Sequence, residues 1–160
     1  MSAYFISDLH LGHKNVLKFS PSRQGACIEE HDEILIDKWN TIVSKRDTCY
    51  VLGDVAWTRI ALQKASRLKG NKHLITGNHD LFRLEEYAVY FKVRPGILKY
   101  KGMWLSHAPI HPLELRGKLN VHGHVHTETV PDSRYLNVCV EALNGYPISL
   151  EEINEKYRNK

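Results

Sequence analysis

Five apolar, strand-like stretches of this sequence each end in residues that can bind divalent metal ions. The stretches are AYFIS, TCYVL, KHLIT, MWLSH and KLNV, and the residues at or just beyond their ends are Asp8 and His10, Asp54, Asn78 and His79, His107, and His124 and His126. Carboxylate, imidazole and amide oxygen donors together suit first-row divalent ions. Open α/β sheets bind ligands beyond the carboxyl ends of their strands, where the loops converge. The sequence therefore predicts a metal site built from five strand ends.

Each of these motifs is ordinary when it is taken alone. The Asp-Leu-His sequence at 8–10 could cap a helix or face water, and Gly-Asp at 53–54 is common turn chemistry. Gly-Asn-His-Asp at 77–80 could be a turn with the asparagine in a left-handed conformation. Gly-His-Val-His at 123–126 places two imidazoles on one side of an extended segment, which chelation explains better than packing. Their joint occurrence favours a metal site over separate turns and caps.

The intervening sequence predicts helices that alternate with the first strands. Apolar residues recur at helical spacing from 28 to 45, and a second helix is predicted through IALQKASRLKG. A short helical segment is predicted at 84–88. The later runs VYFKV, ILKY, MWLSH, KLNVHGHVH and RYLNVCVE predict strands of antiparallel type, and SLEEINEKYRN predicts a final helix capped by Ser149. This order predicts an α/β domain with a mixed, layered sheet.

The composition indicates one globular domain over residues 1–160. The chain is 42% hydrophobic and 25% charged, as ordinary compact domains are. No stretch is long and apolar enough to span a membrane, and Asp8 interrupts the start before a signal-peptide core, so a cytoplasmic location is expected. The net charge of +4 favours anionic substrates without the basic clusters of a nucleic-acid-binding protein. Cys27, Cys49 and Cys139 form no CxxC pair and are predicted to be unpaired.

The motif set D-L-H, G-D, G-N-H-D, S-H and G-H-V-H resembles the calcineurin-like metallophosphoesterase superfamily, in particular its small bacterial and phage-type members. The resemblance implies a four-layered αββα sandwich, in which two mixed β-sheets pack face to face and are flanked by helices. It also implies two divalent transition-metal ions with a bridging hydroxide that attacks phosphorus. Manganese is the ion expected first, with iron, nickel, zinc and cobalt as alternatives. The resemblance assigns Asp8, His10 and His126 to the first ion, Asn78, His107 and His124 to the second, and Asp54 to both.

Two further residues of these motifs are expected to act in catalysis. The resemblance makes His79 the general acid that protonates the leaving oxygen. Phosphatases of the protein-serine/threonine branch carry a second aspartate three residues after the bridging one, whereas this chain has Trp57 there. Either Asp80 orients His79 instead, or His79 acts only as an electrostatic donor. The absent aspartate argues against a protein phosphatase of that branch.

Less specific residues surround this set. His13 is a candidate substrate-binding residue, with a solvated loop residue as the alternative. His122 falls on the same face of the KLNVHGHVH strand as the two later histidines and is a second candidate, with a hydrogen-bonded structural role as the alternative. Arg23 and Arg116 are expected to be exposed loop residues that could contact a phosphate.

The sequence thus predicts a metal-dependent phosphoesterase that hydrolyses a small phosphodiester or nucleotide-like substrate. A nuclease acting on DNA or RNA shares this chemistry but is not favoured, because no channel of aromatic and basic residues is evident. A non-catalytic interaction scaffold with the same fold is the third alternative, although such family members typically lack the histidine present here as His79. The motifs distinguish neither diester from monoester substrates nor one oligomeric state from another.

Overall fold

The computed structural model describes residues 1–158 as short strands and helices in alternation. The strands are β1 Ala3–Ile6, β2 Thr48–Val51, β3 Asn71–Ile75, β4 Lys92–Arg94, β5 Ile97–Tyr100, β6 Met103–Ser106, β7 Asn120–His122, β8 Tyr135–Asn137 and β9 Ile148–Ser149. The helices are α1 Val16–Phe19, α2 Ile28–Ile42, α3 Arg59–Gln63, α4 Leu84–Ala88, α5 Pro112–Leu115 and α6 Leu150–Arg158. A 3-10 helix, Lys64–Arg67, directly continues α3. The predicted final helix also included Asn159, which lies outside the described residues.

The strands form two mixed sheets. The first has the order β4-β3-β2-β1-β9, in which β1 to β4 run parallel and β9 pairs antiparallel with β1. The second has the order β5-β6-β7-β8, in which β5 and β6 are antiparallel and β6, β7 and β8 are parallel. Two mixed sheets with flanking helices confirm the predicted class of α/β sandwich.

Successive side chains of β1 and β2 point to opposite faces of the sheet and divide the core into two layers. Cys49 and Val51 belong to the hydrophobic cluster beneath helices α2 to α4. Phe5 and Tyr50 belong to a second cluster, where they meet Leu105 of the other sheet. Successive strand side chains point to opposite faces, so each strand contributes to both layers. Burial on both faces fixes β1 and β2, and with them the origins of the loops that follow.

Helix α2 covers the first sheet. Its buried residues Leu35 and Trp39 lie one turn apart and face the cluster beneath, and Trp39 Nε1 donates a 2.9 Å hydrogen bond to Lys69 O. The helix ends at Ile42, three residues before the predicted end, because Val43 is extended and is itself buried in the core. No helix within residues 1–158 has the length and apolar character needed to cross a membrane.

Most strands of the second sheet run parallel, whereas the sequence predicted antiparallel strands. β5 and β6 form a hairpin because Lys101 and Gly102 both have positive φ, 48° and 82°, which suits a two-residue turn. The chain from β6 to β7 instead passes through α5. A crossover of this kind returns the chain parallel to the strand it left.

Several predicted elements are shorter in the structure. The helix through IALQKASRLKG is α3 followed by the 3-10 helix, and the VYFKV strand is reduced to β4. The GHVH segment is not extended: β7 ends at His122, and φ is 73° at His124 and 51° at His126, so the predicted shared strand face was wrong. Helices α1 and α5 and strand β9 were not predicted. The predicted cap is confirmed, since Ser149 Oγ accepts a 3.1 Å hydrogen bond from Glu152 N.

Candidate metal centre

The five polar strand ends meet at one place. His124 N donates a 2.8 Å hydrogen bond to Asp8 Oδ2, which joins residues 116 positions apart in the chain. His107 Nε2 lies 3.5 Å from Asp54 Oδ2, which joins the ends of β6 and β2 and therefore the two sheets. Parallel strands bring their carboxyl ends to the same edge, and two facing sheets bring two such edges together. The structure thus gathers the seven predicted ligands into one cluster.

Asp8, His10 and His126 form the first half of this cluster. One ligand atom of each lies within 4.8 Å of the others. His10 Nε2 is 3.5 Å and His126 Nε2 is 3.7 Å from Asp8 Oδ1. Asp8 and His10 are buried, whereas His126 is partly exposed. The three atoms face one small space.

Asn78, His107 and His124 form the second half. Asn78 Oδ1 lies 2.9 Å from His107 Nε2 and 3.0 Å from His124 Nδ1. Asp54 lies between the halves, because its Oδ2 is 3.6 Å from His10 Nε2 and 3.5 Å from His107 Nε2. One carboxylate oxygen is therefore close to donors of both halves.

Buried atoms without partners show that the cluster fits cations. Asp8 Oδ1 and His10 Nε2 are buried and make no hydrogen bond within the described residues. An unpaired buried polar atom costs about 1–3 kcal/mol, and coordination of a divalent ion removes that cost. The other oxygen of Asp8, Oδ2, already accepts hydrogen bonds from Ser7 Oγ, His124 N and Cys139 Sγ. Oxygen and imidazole donors without thiolate suit manganese, iron, nickel, zinc or cobalt.

The charge on Asp8 is set by its surroundings. Burial alone would raise the pKa of Asp8, but the nearby imidazoles of His10 and His107 and the hydrogen bonds from Ser7 Oγ and His124 N lower it well below its ordinary value. Asp8 is therefore ionised at neutral pH. In contrast, burial raises the pKa of Asp80, against the effect of three backbone hydrogen bonds.

Five of the seven predicted ligands have left-handed backbone conformations. Their φ values are 59° at Asp8, 49° at His10, 56° at Asp54, 73° at His124 and 51° at His126. Asp and His tolerate this region better than most residues, yet such conformations carry strain of roughly 1–3 kcal/mol each. They reverse the chain sharply, which lets residues two positions apart contribute to the same cluster.

Two glycines allow the ligand loops to approach one another. A Cβ atom at Gly77 would overlap the carboxylate of Asp54. A Cβ atom at Gly123 would overlap Ser7 Oγ and Asp8 Oδ2. Any larger side chain at either position would displace a predicted ligand.

Hydrogen bonds from outside the ligand set fix the orientation of His107 and Asp54. His107 Nδ1 lies 2.7 Å from Leu52 O, so Nδ1 carries the hydrogen and Nε2 is free for an ion. Asp54 Oδ1 accepts a 2.9 Å hydrogen bond from His79 N, which leaves Oδ2 facing the two halves. Both residues therefore present a single atom to the cluster.

Asp80 connects the loops after β2 and β3. Its Oδ2 accepts 2.8 Å hydrogen bonds from Asp54 N and Gly77 N, and its Oδ1 accepts a 2.9 Å hydrogen bond from Val55 N. Within the described residues, no hydrogen bond joins the Asp80 carboxylate to the imidazole of His79. The carboxylate thus holds the backbone of two ligand loops.

His79 and Trp57 form an aromatic edge on the exposed side of the cluster. The His79 ring centroid lies 5.2 Å from that of Trp57 and 5.8 Å from that of His10. Trp57 also contacts His13 edge-on, with the centroids 4.0 Å apart, and remains 45% exposed. His13 Nδ1 is buried without a hydrogen bond within the described residues. Trp57 stands at the position where protein-serine/threonine phosphatases have an aspartate. His79 therefore has an aromatic ring beside it at that position and not a carboxylate.

His122 and Arg23 have surroundings that differ from those expected. His122 is 1% exposed and its Nδ1 lies 2.9 Å from Gly123 O. This burial, which lowers the pKa of His122, favours the hydrogen-bonded structural role over contact with a substrate. Arg23 is not an exposed loop residue, because its side chain is fully buried against Glu141. Arg116 is exposed, as expected.

Sequence reasoning missed two functional neighbours that follow β8. Glu141 Oε1 lies 3.1 Å from His126 Nδ1, and Cys139 Sγ donates a 3.2 Å hydrogen bond to Asp8 Oδ2. Burial raises the pKa of Cys139, so its thiol stays protonated. The sequence predicts RYLNVCVE as a strand that ends in the carboxylate of Glu141; in the structure β8 ends at Asn137, and its parallel pairing with β7 brings the residues after it to the same edge. Cys27, Cys49 and Cys139 are unpaired, as predicted.

The fold and the cluster together define a class of protein, an α/β sandwich with metal-binding side chains at the shared edge of two sheets. The sequence profile of the calcineurin-like phosphoesterase family matches residues 1–157. The chain therefore belongs to the calcineurin-like phosphoesterases, which are metal-dependent hydrolases of phosphate esters.

Individual relatives extend over almost the whole chain. An uncharacterized protein of Methanocaldococcus jannaschii, MJ1445, is 33% identical over 165 residues, which cover 94% of this chain and 88% of that protein. The gene 66 protein of Mycobacterium phage L5 is 28% identical over 193 residues, which cover 95% and 92% of the two chains. The crystal structure of the protein of unknown function AQ665 from Aquifex aeolicus superposes with a TM-score of 0.77 at 27% identity, covering 96% of this chain and 98% of that one.

Proposed function

We propose that this protein hydrolyses small phosphodiesters with two divalent ions bound in the cluster. The observation that carries the proposal is the position of Asp54 Oδ2, 3.6 Å from His10 Nε2 and 3.5 Å from His107 Nε2. A carboxylate oxygen between two groups of donors can serve two ions at once. Two neighbouring ions are the usual device for in-line displacement at phosphorus.

Each ion would have four protein donors. When bound, the ions supply an activated water nucleophile and positive charge that stabilises the transition state. Manganese is the first candidate, and iron, nickel, zinc and cobalt suit the same mixed donors. The first ion would be held by Asp8, His10, His126 and Asp54, and the second by Asn78, His107, His124 and Asp54.

His79 is the proposed general acid. Its side chain is exposed beside the cluster, and its backbone N–H is fixed by Asp54 Oδ1 at 2.9 Å. The imidazole would donate a proton to the leaving oxygen. The ring of Trp57 contacts this imidazole, with the centroids 5.2 Å apart. We assign Asp80 a positioning role, because both of its oxygens accept backbone N–H groups.

The edge of the cluster favours a small ester with an apolar or aromatic group. Trp57 and Phe19 are 45% and 75% exposed, and both contact His13. Because His13 Nδ1 is buried, a contact of His13 with the phosphate would use the other ring nitrogen, Nε2. A cytoplasmic location stays part of the proposal, since an exposed, unpaired Cys27 is typical of a reducing compartment.

The test is hydrolysis by metal-free protein that is reloaded with manganese, nickel, zinc or magnesium in turn. Bis-p-nitrophenyl phosphate and p-nitrophenyl phosphate serve as the generic diester and monoester. We expect no activity without metal and preferential hydrolysis of the diester with manganese. Preference for the monoester would contradict the substrate class. Inactivity of the metal-loaded protein with both substrates would instead favour a non-catalytic scaffold.

A further inference from the structure

Two charged side chains outside the proposed ligand set, Arg23 and Glu141, lie behind the first half of the cluster. The side chain of Arg23 is 0% exposed and that of Glu141 is 1% exposed, and Arg23 Nε donates a 2.7 Å hydrogen bond to Glu141 Oε1. Charged groups are rarely buried unless they are paired, and a buried pair is a weak source of stability. The proposed reaction uses neither residue, so their contacts indicate another role.

Glu141 contacts one of the proposed ligands. Its Oε1 lies 3.1 Å from His126 Nδ1, while Nε2 of the same ring lies 3.7 Å from Asp8 Oδ1. A carboxylate that accepts the hydrogen of one ring nitrogen fixes the tautomer and leaves the other nitrogen as a metal donor. The second oxygen of Glu141, Oε2, has no hydrogen bond within residues 1–158. Both contacts of Glu141 therefore depend on Oε1.

Arg23 contacts another part of the same half. Its two terminal nitrogens donate hydrogen bonds of 2.6 Å to Asp8 O and 3.0 Å to Leu9 O. These carbonyls belong to the loop that begins with the left-handed Asp8, φ 59°. A planar guanidinium with donors in a fixed fork can hold this loop and Glu141 in one arrangement. The loop after β1 and the segment after β8 are thereby joined.

We propose that Arg23 and Glu141 form a positioning pair that sets the affinity of the first ion. Glu141 orients His126, and Arg23 holds the backbone that carries Asp8. The inference rests on the proposed two-ion site, but hydrolysis is not needed to test it. Loss of the Glu141 charge should lower the affinity for the first ion by about 10- to 100-fold, as for other groups that orient metal ligands.

The experiment measures the affinity of each Mn²⁺ ion by competition with a chelating dye. Four proteins are compared: the unaltered chain, Glu141→Gln, His126→Ala and the double variant that carries both changes. Because Glu141 acts through His126, Glu141→Gln should lower the affinity for the first ion about 10- to 100-fold when His126 is present. In the His126→Ala background, where the first ion is already bound more weakly, it should change the affinity for that same ion by less than about twofold.

Glu33→Gln is the matched control. Glu33 is also a carboxylate paired with an arginine, Arg67, but the pair lies on the exposed surface of α2. We expect no change in either Mn²⁺ affinity. Metal-free thermal unfolding is recorded for every variant, so that loss of folding is separated from loss of affinity.

A second variant protects the test against misfolding, since Glu141→Gln leaves the Arg23 charge buried without its carboxylate. The double variant Glu141→Gln with Arg23→Gln removes both charges and should fold while one ion stays weakened. Equal weakening of both ions, an equal loss with and without His126, or unaltered affinity in Glu141→Gln would each overturn the positioning role. If the unaltered chain binds no divalent ion at all, the proposed function fails first.

Discussion

Replacing Asp54 by asparagine separates two opposing effects of this carboxylate. In the metal-free protein it repels the carboxylate of Asp8, and in the metal-bound protein it attracts both ions. The asparagine would keep the shape of the side chain and an acceptor for the 2.9 Å hydrogen bond from His79 N. Asparagine also tolerates the left-handed backbone at this position, φ 56°. Asp54→Asn therefore removes one negative charge and little else.

The expected stability change follows from the geometry of the carboxylates. Ligand oxygens of Asp8 and Asp54 lie within 4.8 Å of each other. Two unit charges at that distance repel by about 3 kcal/mol at an effective dielectric constant of about 20. Metal-free Asp54→Asn, which lacks this repulsion, should therefore be more stable by up to about 3 kcal/mol at pH 8. This corresponds to an increase in Tm of roughly 6 to 12 °C for a chain of this length.

With metal bound, the unaltered protein should instead be more stable than Asp54→Asn. An ion present at about 100 times its Kd stabilises the folded protein by about 2.7 kcal/mol, and two ions by about twice that. The unaltered protein should therefore gain roughly 10 to 20 °C in Tm with saturating Mn²⁺. Asp54→Asn should gain little and should be inactive, because neither ion keeps its shared donor.

The assay is thermal unfolding of both proteins at pH 8, once with a chelator and once with Mn²⁺, beside hydrolysis of bis-p-nitrophenyl phosphate. An equal metal-induced increase in Tm in both proteins would refute the position of Asp54 between the two ions. A lower Tm for metal-free Asp54→Asn would show that hydrogen bonds of the carboxylate outweigh its repulsion with Asp8, which would refute the electrostatic part of the reasoning.

Three further substitutions test other parts of the structure. His79→Ala should lower kcat by about 100- to 10,000-fold with two Mn²⁺ ions still bound, because its imidazole is not among the clustered donors; kinetics and metal analysis measure both. Trp57→Ala should lower kcat and shift the pH profile while the metal affinities stay unchanged, because the 5.2 Å ring contact with His79 is lost, and Trp57→Phe should restore much of it. Hydrogen bonds from Ser44 and Ser2 lower the pKa of Asp47 to about 2. Its ionised form therefore stabilises the fold above about pH 4, and this stabilisation is lost as the pH falls through about 2. Urea unfolding should show Asp47→Asn less stable by about 1 to 2 kcal/mol at pH 7 and nearly equal to the unaltered chain at pH 2.

For each of these three predictions, one outcome would contradict the reasoning. Loss of one ion in His79→Ala would make this residue a ligand and not a proton donor. An unchanged pH profile in Trp57→Ala would remove the indole from the positioning of His79. A stability difference for Asp47→Asn that is the same at pH 2 and pH 7 would assign its effect to packing and not to charge.

The three central strands of the first sheet could be predicted from local sequence because they are buried on both faces. The runs AYFIS, TCYVL and KHLIT are apolar, and each is bounded by polar loop residues, so β1, β2 and β3 were found close to their observed limits. Strand direction in the second sheet could not be predicted in this way. It depends on whether the connection is a turn, as at Lys101 and Gly102, or a crossover through α5, and the four residues of α5 give almost no periodic signal.

The candidate site was predictable in composition but not in local geometry. Donor residues at five strand ends are visible in the sequence, since each follows an apolar run directly. The conformation of the GHVH segment could not be predicted from the sequence. His124 and His126 reach the cluster through left-handed turns and not through alternation along a strand. Arg23 was expected to be exposed because its segment is loop-like. Only the fold places its guanidinium against Glu141, 118 residues away in the chain.

The cluster contains features that lower stability, among them buried unpaired atoms of Asp8 and His10 and left-handed backbone at five of the proposed ligands. Such strain persists only where the surrounding structure determines it strongly. Asp80 accepts hydrogen bonds from three backbone amides, and Arg23 donates hydrogen bonds to two carbonyls and to Glu141. These contacts hold the loops that carry the proposed ligands, and none of them uses an atom that faces the space between the two halves. It follows that substitutions in these supporting residues should change ion affinity more than they change the fold.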